Sequence, residues 1–426
     1  MGCGRRSPAQ LYPTVSVHNI RRMNISIVSG PWLPVPPLQG GAVPRLWQGL
    51  AENFAAKGHD VTILARAYKE QPRYEVLNGV KYIRRGGFSQ SRHIVVDLLK
   101  DFAYALRTTS LLPAADIVVV NDFWIPVLAQ WLRPNAGKIV IAVGRFPKGQ
   151  FFLYSRAARL VAVSNVIREA IVEQCPSLAT RVRVFPNPTD TDIFSPPVSP
   201  RANRDDKTIL YVGRIHPEKG IHLLIDAFAL IAKKSSRVRL QIVGPVRQDQ
   251  GGGGAGYFKE LQSKADGINV QFLDPVFEQS RLAEVYRKGD LFCYPSLAEK
   301  GEAFPVAPLE AMATGLVPVV SDLKCFRDLI DEGQTGYYFD HRGVDAVAKL
   351  FQILRAGVLN WEQTSQMSKE AVRKASNFSY DRIGSLYLED FEELLSTPTR
   401  ESHRLTNSER VKPERTECST KSDLLS

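Results

Sequence analysis

The sequence predicts an α/β protein of two Rossmann-like, doubly wound parallel-sheet domains facing one another across a cleft. Three observations predict it. Short β-branched and apolar runs alternate with amphipathic helical stretches along nearly the whole chain, the pattern of a parallel sheet covered by helices on both faces. The alternation is broken once, by the proline-rich and charged stretch SPPVSPRANRDDK at 195–207, which suits an exposed linker. A chain of 426 residues is also too long for one ordinary core and suits two.

Taken in order, MNISIVSG from Met23 reads as a first buried strand. Residues 1–22, with Arg5, Arg6, Arg21 and Arg22, are then expected to be a flexible leader, with Met23 as an alternative start. A helix is predicted over about Ala42 to Ala56, its face of Leu46, Trp47, Leu50 and Phe54 turned to the core. DVTILA, ADIVVVN, KIVIAV, LVAVS and RVRVF supply the remaining strands of an N-terminal domain spanning 23–194. Beyond the linker, TILYVG, RLQIVG, INVQFL, DLFCYP and LVPVVS are the strands of a C-terminal domain over 208–378. Tyr380, Ile383, Tyr387, Phe391 and Leu394 fall at helical spacing, so a docked terminal helix is expected over 379–396. The polar tail 397–426 is expected to be disordered.

Composition narrows the function. Hydrophobic residues make up 44% and charged residues 23%, the balance of a globular protein. No apolar run reaches the roughly 20 residues of a membrane helix, and neither a secretory signal nor a myristoylation signal opens the chain. Cysteines at 3, 175, 293, 325 and 418 are scattered without a Cys-x-x-Cys pair, which fits a reduced cytoplasmic setting. A net charge of +11 and a pI near 9.4 call for an anionic partner. No helix-turn-helix, zinc-finger or RNA-recognition signature accompanies the charge, so nucleic acid is not expected. An anionic substrate or an anionic membrane surface fits better. For the membrane, Lys81, Arg84, Arg85, Arg92 and His93 precede IVVDLLKDFAYAL, a basic-then-apolar order suited to peripheral contact. A core helix with a solvated flank is the simpler reading of the same pattern.

Ligands of doubly wound sheets sit beyond the carboxyl ends of the strands, and three stretches lie there. In GEAFPVAPLE, after DLFCYPS, Glu302 falls in a loop and Glu310 inside a short helix closed by Gly315. Pro305 and Pro308 are tolerated because first-turn amides lack internal partners. Free amides favour an anion and carboxylates accept hydroxyl hydrogen bonds, so the stretch suits a phosphate flanked by polyols. In YVGRIHPEKG, Gly213 and Gly220 permit tight backbone, while Arg214 and Lys219 offer two cations for a diphosphate. In PPLQGGAVPRLW, Gly40 and Gly41 lead into the first helix and can bring bare amides to a phosphate.

With these residues in hand, residues 23 to 395 resemble the retaining glycosyltransferases of the GT-B fold, the group numbered four. The resemblance is carried by GG before the first helix, AKGHDVTIL, AVSNVIREAI, FPNPTDTDIF, YVGRIHPEKGIHLLIDAF and GEAFPVAPLEAMATGLVPVVSD. It implies transfer of a sugar from a nucleotide-sugar donor to a hydroxyl of a glycan, lipid or small molecule, without a metal or other cofactor. Arg214 and Lys219 would hold the donor diphosphate, with Glu302 on the transferred sugar and Glu310 on the ribose. Gly40 and Gly41 would approach the diphosphate from the other domain, and Gly213, Ala303, Phe304 and Pro305 would complete the donor site. Retention would follow from same-face attack, with the leaving phosphate accepting the acceptor's proton. The chain departs from the family where a first-domain histidine is usual: Asn121, Asp122, Gly144 and Arg145 stand there instead. Pro188 and Pro305 also replace usual glycines. A noncatalytic sugar-nucleotide sensor, or a GT-B-like epimerase or phosphorylase, is the competing reading.

Other motifs read as structural. DTD at 190–192 belongs to NPTDTDIF and is not expected to bind metal. The seven histidines, His59 and His216 among them, form no ligand cluster. QGGGGAGY at 250–257 lacks the Lys-Ser/Thr of a phosphate loop and reads as a flexible surface loop.

Overall fold

A computed structural model describes residues 21–396 apart from Gln39, Gln90, Arg92 and 200–202. Most of the expected leader, the tail from 397, part of the linker, Arg92 of the basic segment, Cys3 and Cys418 lie outside the described residues.

The first half runs β1 (Asn24–Ser29), α1 (Ala42–Ala56), β2 (Asp60–Ala67), β3 (Tyr74–Leu77), β4 (Val80–Gly86), α2 (Ile94–Thr109), β5 (Ile117–Asn121), α3 (Ile125–Leu132), β6 (Lys138–Val143), β7 (Arg159–Ala162), α4 (Asn165–Gln174) and β8 (Val182–Val184). Its strands form one sheet in the order β3-β4-β2-β1-β5-β6-β7-β8, parallel except for the β3–β4 hairpin. The second half runs β9 (Lys207–Val212), α5 (Ile221–Ala232), β10 (Val238–Val243), α6 (Gly254–Lys264), β11 (Val270–Leu273), α7 (Gln279–Lys288), β12 (Leu291–Tyr294), α8 (Val306–Ala313), β13 (Val317–Ser321), β14 (Tyr337–Phe339), α9 (Ala346–Leu359), α10 (Trp361–Ala375) and α11 (Tyr380–Ser396). Its sheet, in the order β11-β10-β9-β12-β13-β14, is parallel throughout.

Strand order positions the site. From β9 the chain builds outward through β10 and β11, then returns to the other side of β9 for β12, β13 and β14. The connections after β9 and β12 therefore run to opposite sides of the sheet, which places a ligand crevice at the carboxyl edge of these two strands. The first sheet has the same switch between β1 and β5. Strands buried on both faces read as unbroken apolar runs: Ile209, Leu210, Leu291, Phe292, Val319 and Val320 are all fully buried.

The terminal helix α11 docks, and it docks on the first half. Tyr387 and Phe391 pack edge-on against Phe54, and Tyr387 also meets Trp47 with ring centroids 5.8 Å apart. Tyr380 lies against Gly49, where a Cβ would come within 2.3 Å of its ring. The chain therefore ties its two halves together at its end as well as at the linker.

Three expectations are corrected here. In α2 a row of large apolar residues faces outward: Val95, Leu99, Phe102 and Leu106, spaced one turn apart, are exposed, while Asp101, Tyr104, Ala105, Thr108 and Thr109 are buried. The buried side mixes Tyr104 and Ala105 with polar residues while the outer side carries the apolar row, so the flank facing outward is not the solvated polar one expected. Arg84 does not belong to the basic surface either. It is fully buried, paired with Glu75 at 2.7 Å and donating to the Pro72 carbonyl. The glycine-rich stretch at 250–257 is likewise not a free loop. Gly254 opens α6, the Gly253 amide donates to the Ile215 carbonyl at 2.7 Å, and the Gly251 carbonyl accepts from Arg214.

Candidate active site

The loop after β9 turns sharply and returns through a short 3₁₀ turn, Pro217–Lys219, capped by the imidazole of His216, whose Nδ1 accepts from the Glu218 amide. Gly220 ends this turn at φ 65°, and a Cβ there would sit 2.0 Å from the Pro295 carbonyl oxygen. Only glycine allows the β9 loop to lie on the β12 loop this closely. The approach brings Lys219 to Glu302. Their side chains form an ion pair with both partners almost wholly buried.

Glu302 is held by more than Lys219. Its Oε1 also accepts from Ser296 Oγ at 2.8 Å and from the Tyr294 hydroxyl at 3.1 Å. Tyr294 stacks on Tyr211 with centroids 5.8 Å apart, and Lys219 Nζ lies 5.6 Å over the Tyr294 ring. Burial, then the charge of Glu302, push the Tyr294 hydroxyl well above its ordinary pKa, so it remains a donor. Among the described residues, every hydrogen bond to Glu302's carboxylate falls on Oε1.

Arg214, half exposed at the mouth, donates to Glu218 at 2.6 Å and to the Gly251 carbonyl at 2.7 Å. Both predicted cations therefore already have protein partners. Arg214 is within solvent reach, whereas Lys219 is enclosed. Gly213 leads into Arg214, and a Cβ there would meet the Tyr211 hydroxyl at 2.8 Å.

Ala303 and Phe304 are buried between Glu302 and α8, and Pro305 caps that helix. The Phe304 carbonyl accepts from Asn187 Nδ2 of the first half at 2.9 Å. Glu310, 3% exposed, takes Tyr286 on Oε2 at 2.9 Å and Arg45 on Oε1 at 2.7 Å. Arg45 belongs to α1, so this contact crosses the cleft. A second crossing joins Asn165, at the start of α4, to Asp328 through two bonds of 2.7 Å. Gly40 and Gly41, at φ 73° and 106°, bring the chain into α1 opposite α8. A Cβ on Gly40 would lie 3.2 Å from the Phe277 ring of the second half.

The structure thus gathers Lys219 and Glu302 into one cluster, with Glu310 on the helix that follows and Gly40 and Gly41 facing it. Sequence reasoning missed Arg45, Tyr286, Tyr294 and Ser296. Tyr294 and Ser296 stand within eight residues of Glu302 on the preceding strand and loop, the one signal available for them. Of the structural readings, Asp190 uses its Oδ1 to cap the amides of Asp192 and Ile193. His59 is buried and accepts from the Met23 amide.

Where the family's first-domain histidine is usual, Asp122 follows β5. Its Oδ1 caps α3 through the Trp124 and Ile125 amides at 3.0 Å. Asp122 Oδ2 and Asp101 Oδ1 are sealed from solvent. Burial first, then the neighbouring Asp122 charge, push Asp101 up to about 9.

Two doubly wound sheets, with a cation–carboxylate cluster at the crevice of the second, make that crevice the candidate site. Comparison with known proteins makes this specific. The family described as glycosyl transferases group 1 matches residues 196–374, and that described as Glycosyltransferase Family 4 matches residues 40–193. The chain is 29% identical over 360 residues to a phosphatidyl-myo-inositol mannosyltransferase of Mycobacterium leprae, covering 79% of this chain and 89% of that protein. The fold matches sucrose-phosphate synthase from Thermosynechococcus elongatus (TM-score 0.72, 20% identity, 88% of this chain and 100% of that one). It also matches Anabaena HepE in complex with UDP-glucose (TM-score 0.66, 18% identity, 87% and 100%). The chain belongs to the group 1 glycosyltransferases of the GT-B fold.

Proposed function

We propose that this glycosyltransferase is a retaining, metal-independent enzyme that moves a sugar from a nucleotide-sugar to a lipid-linked hydroxyl at the cytosolic face of a membrane. The observation that carries the donor reading is the buried Lys219–Glu302 pair at the strand switch, with Glu310 eight residues further on. Breaking the sugar–phosphate bond moves negative charge onto the diphosphate and positive charge onto the ring. Lys219 and Arg214 stabilise the first, in the role a divalent cation has elsewhere. Glu302, its Oε1 fixed by three donors, is left to accept sugar hydroxyls on Oε2. Glu310 accepts the ribose hydroxyls. Gly41, Gly213, Ala303 and Phe304 contribute backbone around the diphosphate. The acceptor oxygen attacks from the face the diphosphate leaves, and a departing phosphate oxygen takes its proton, so no protein base is needed. We take residues 23–194 as the acceptor domain and 208–378 as the donor domain, hinged at 195–207.

The lipid acceptor is supported by α2. Val95, Leu99, Phe102 and Leu106 form an exposed apolar row, with Lys100 and Arg107 on the same helix to meet lipid phosphates. A relative acting on phosphatidyl-myo-inositol fits this reading. Among the described residues no helix is long and apolar enough to cross a membrane, so attachment would be peripheral. Transfer assays with a nucleotide-sugar panel in the presence of chelator test the reading. Product with the donor's anomeric configuration is expected; inversion, or strict dependence on added metal, would refute it.

A further inference from the structure

The Arg45–Glu310 contact lies outside the roles assigned above. Glu310 is nearly sealed, and its neighbours on α8 and α7 offer it one hydroxyl, that of Tyr286. A buried carboxylate without a cation is costly. Its compensating charge comes from the opposite half, 265 residues earlier in the chain. Arg45 sits one turn into α1, just past Gly40 and Gly41, and its carbonyl accepts from the Tyr380 hydroxyl at 3.3 Å. Tyr380 starts α11, the helix that returns from the second half to the first, and packs into the space left by Gly49. Arg45 is thus anchored at the start of the helix that returns from the second half to the first.

We propose that Arg45 is an interdomain positioning residue: its guanidinium pairs with Glu310 only when the cleft is closed, so the donor's ribose-binding carboxylate is fixed and charge-compensated by closure itself. The ribose part of this statement rests on the proposed role of Glu310; the latch does not. In the open state Glu310 faces water and is held by Tyr286 alone. On closure Arg45 aligns the carboxylate and brings a third cation to the side of the cleft facing Lys219 and Arg214. Arginine suits the task because its planar fork can bond a carboxylate while offering further N–H groups to an anion.

The test combines solution scattering with nucleotide titration on the full chain, using UDP, GDP and ADP and their 2′,3′-dideoxy analogues as probes. Arg45→Met keeps the apolar stem, and Arg45→Met with Glu310→Gln guards against instability from an unpaired carboxylate. Without ligand, both variants are expected to scatter as a more open molecule than the parent, and Arg45→Lys to regain part of the compactness. Scattering identical to the parent in both would overturn the latch. With nucleotide, Arg45→Met is expected to bind about 10- to 100-fold more weakly, the cost of a lost charged hydrogen bond. Equal binding of ribo- and dideoxy-nucleotides by the parent would instead refute the ribose role of Glu310, leaving the latch to stand on scattering.

Discussion

Lys219 and Glu302, 83 residues apart in sequence, meet as a buried ion pair where the loops after β9 and β12 touch. Removing one partner strands the other in a sealed site. Lys219→Met is therefore expected to cost about 3–5 kcal/mol of stability, as for other broken buried pairs. Lys219→Met with Glu302→Gln should recover most of the loss while remaining inactive. Urea unfolding of the two variants reads the difference; equal losses would mean the charges do not depend on each other.

Gly220 is the hinge of that meeting. An Ala there must adopt φ 65° with its Cβ 2.0 Å from a backbone oxygen. The left-handed conformation alone costs about 1–2 kcal/mol, and relieving the clash must part the two loops. Gly220→Ala should lower the melting temperature and abolish transfer together. A variant that melts and turns over like the parent would show that the loops are not held at this distance.

The Asp101–Asp122 pair predicts a pH dependence. Asp101 binds its proton far more tightly folded than unfolded, so its stabilising contribution is full below the ordinary carboxylate value near 3.8. It is lost progressively as the pH rises toward about 9. Asp101→Asn donates without a titrating proton. Its stability relative to the parent should therefore rise steadily between neutral and alkaline pH, as read by thermal melts across a buffer series. Parallel profiles would show that folding does not raise the Asp101 pKa.

The outward row of α2 gives a surface prediction. Polar replacement of exposed residues normally changes stability by no more than about 0.5 kcal/mol. Val95→Ser with Leu99→Ser should leave the melting temperature almost unchanged while abolishing flotation with anionic vesicles. Flotation equal to the parent would remove the membrane reading of this face.

Much of the frame was legible because it depends on local pattern. The central strands are buried on both faces and announce themselves as apolar runs, and α1 spans the residues its periodicity marks, Ala42–Ala56. β3, β4 and β14 were not legible; β4, Val80–Gly86, carries Lys81, Arg84 and Arg85 and reads as a basic flank. β3 is a four-residue edge strand with no buried residue, and β14 has three residues. The face of α2 was misread for a different reason. Periodicity says which residues share a side, and the buried side here is the one carrying Asp101, Thr108 and Thr109 together with Tyr104 and Ala105. At the site, Glu302, Glu310, Lys219 and Arg214 stood out because their spacing resembles a family pattern. Arg45 did not, since its partner is 265 residues away and no local signal connects them.

A crystal structure with a bound nucleoside diphosphate tests the central claim most directly. The account predicts diphosphate oxygens within hydrogen-bonding distance of both Lys219 and Arg214, with the ribose hydroxyls on Glu310. A nucleotide seated elsewhere, with Lys219 still locked onto Glu302 and the Glu310 carboxylate turned from the ribose, would contradict it.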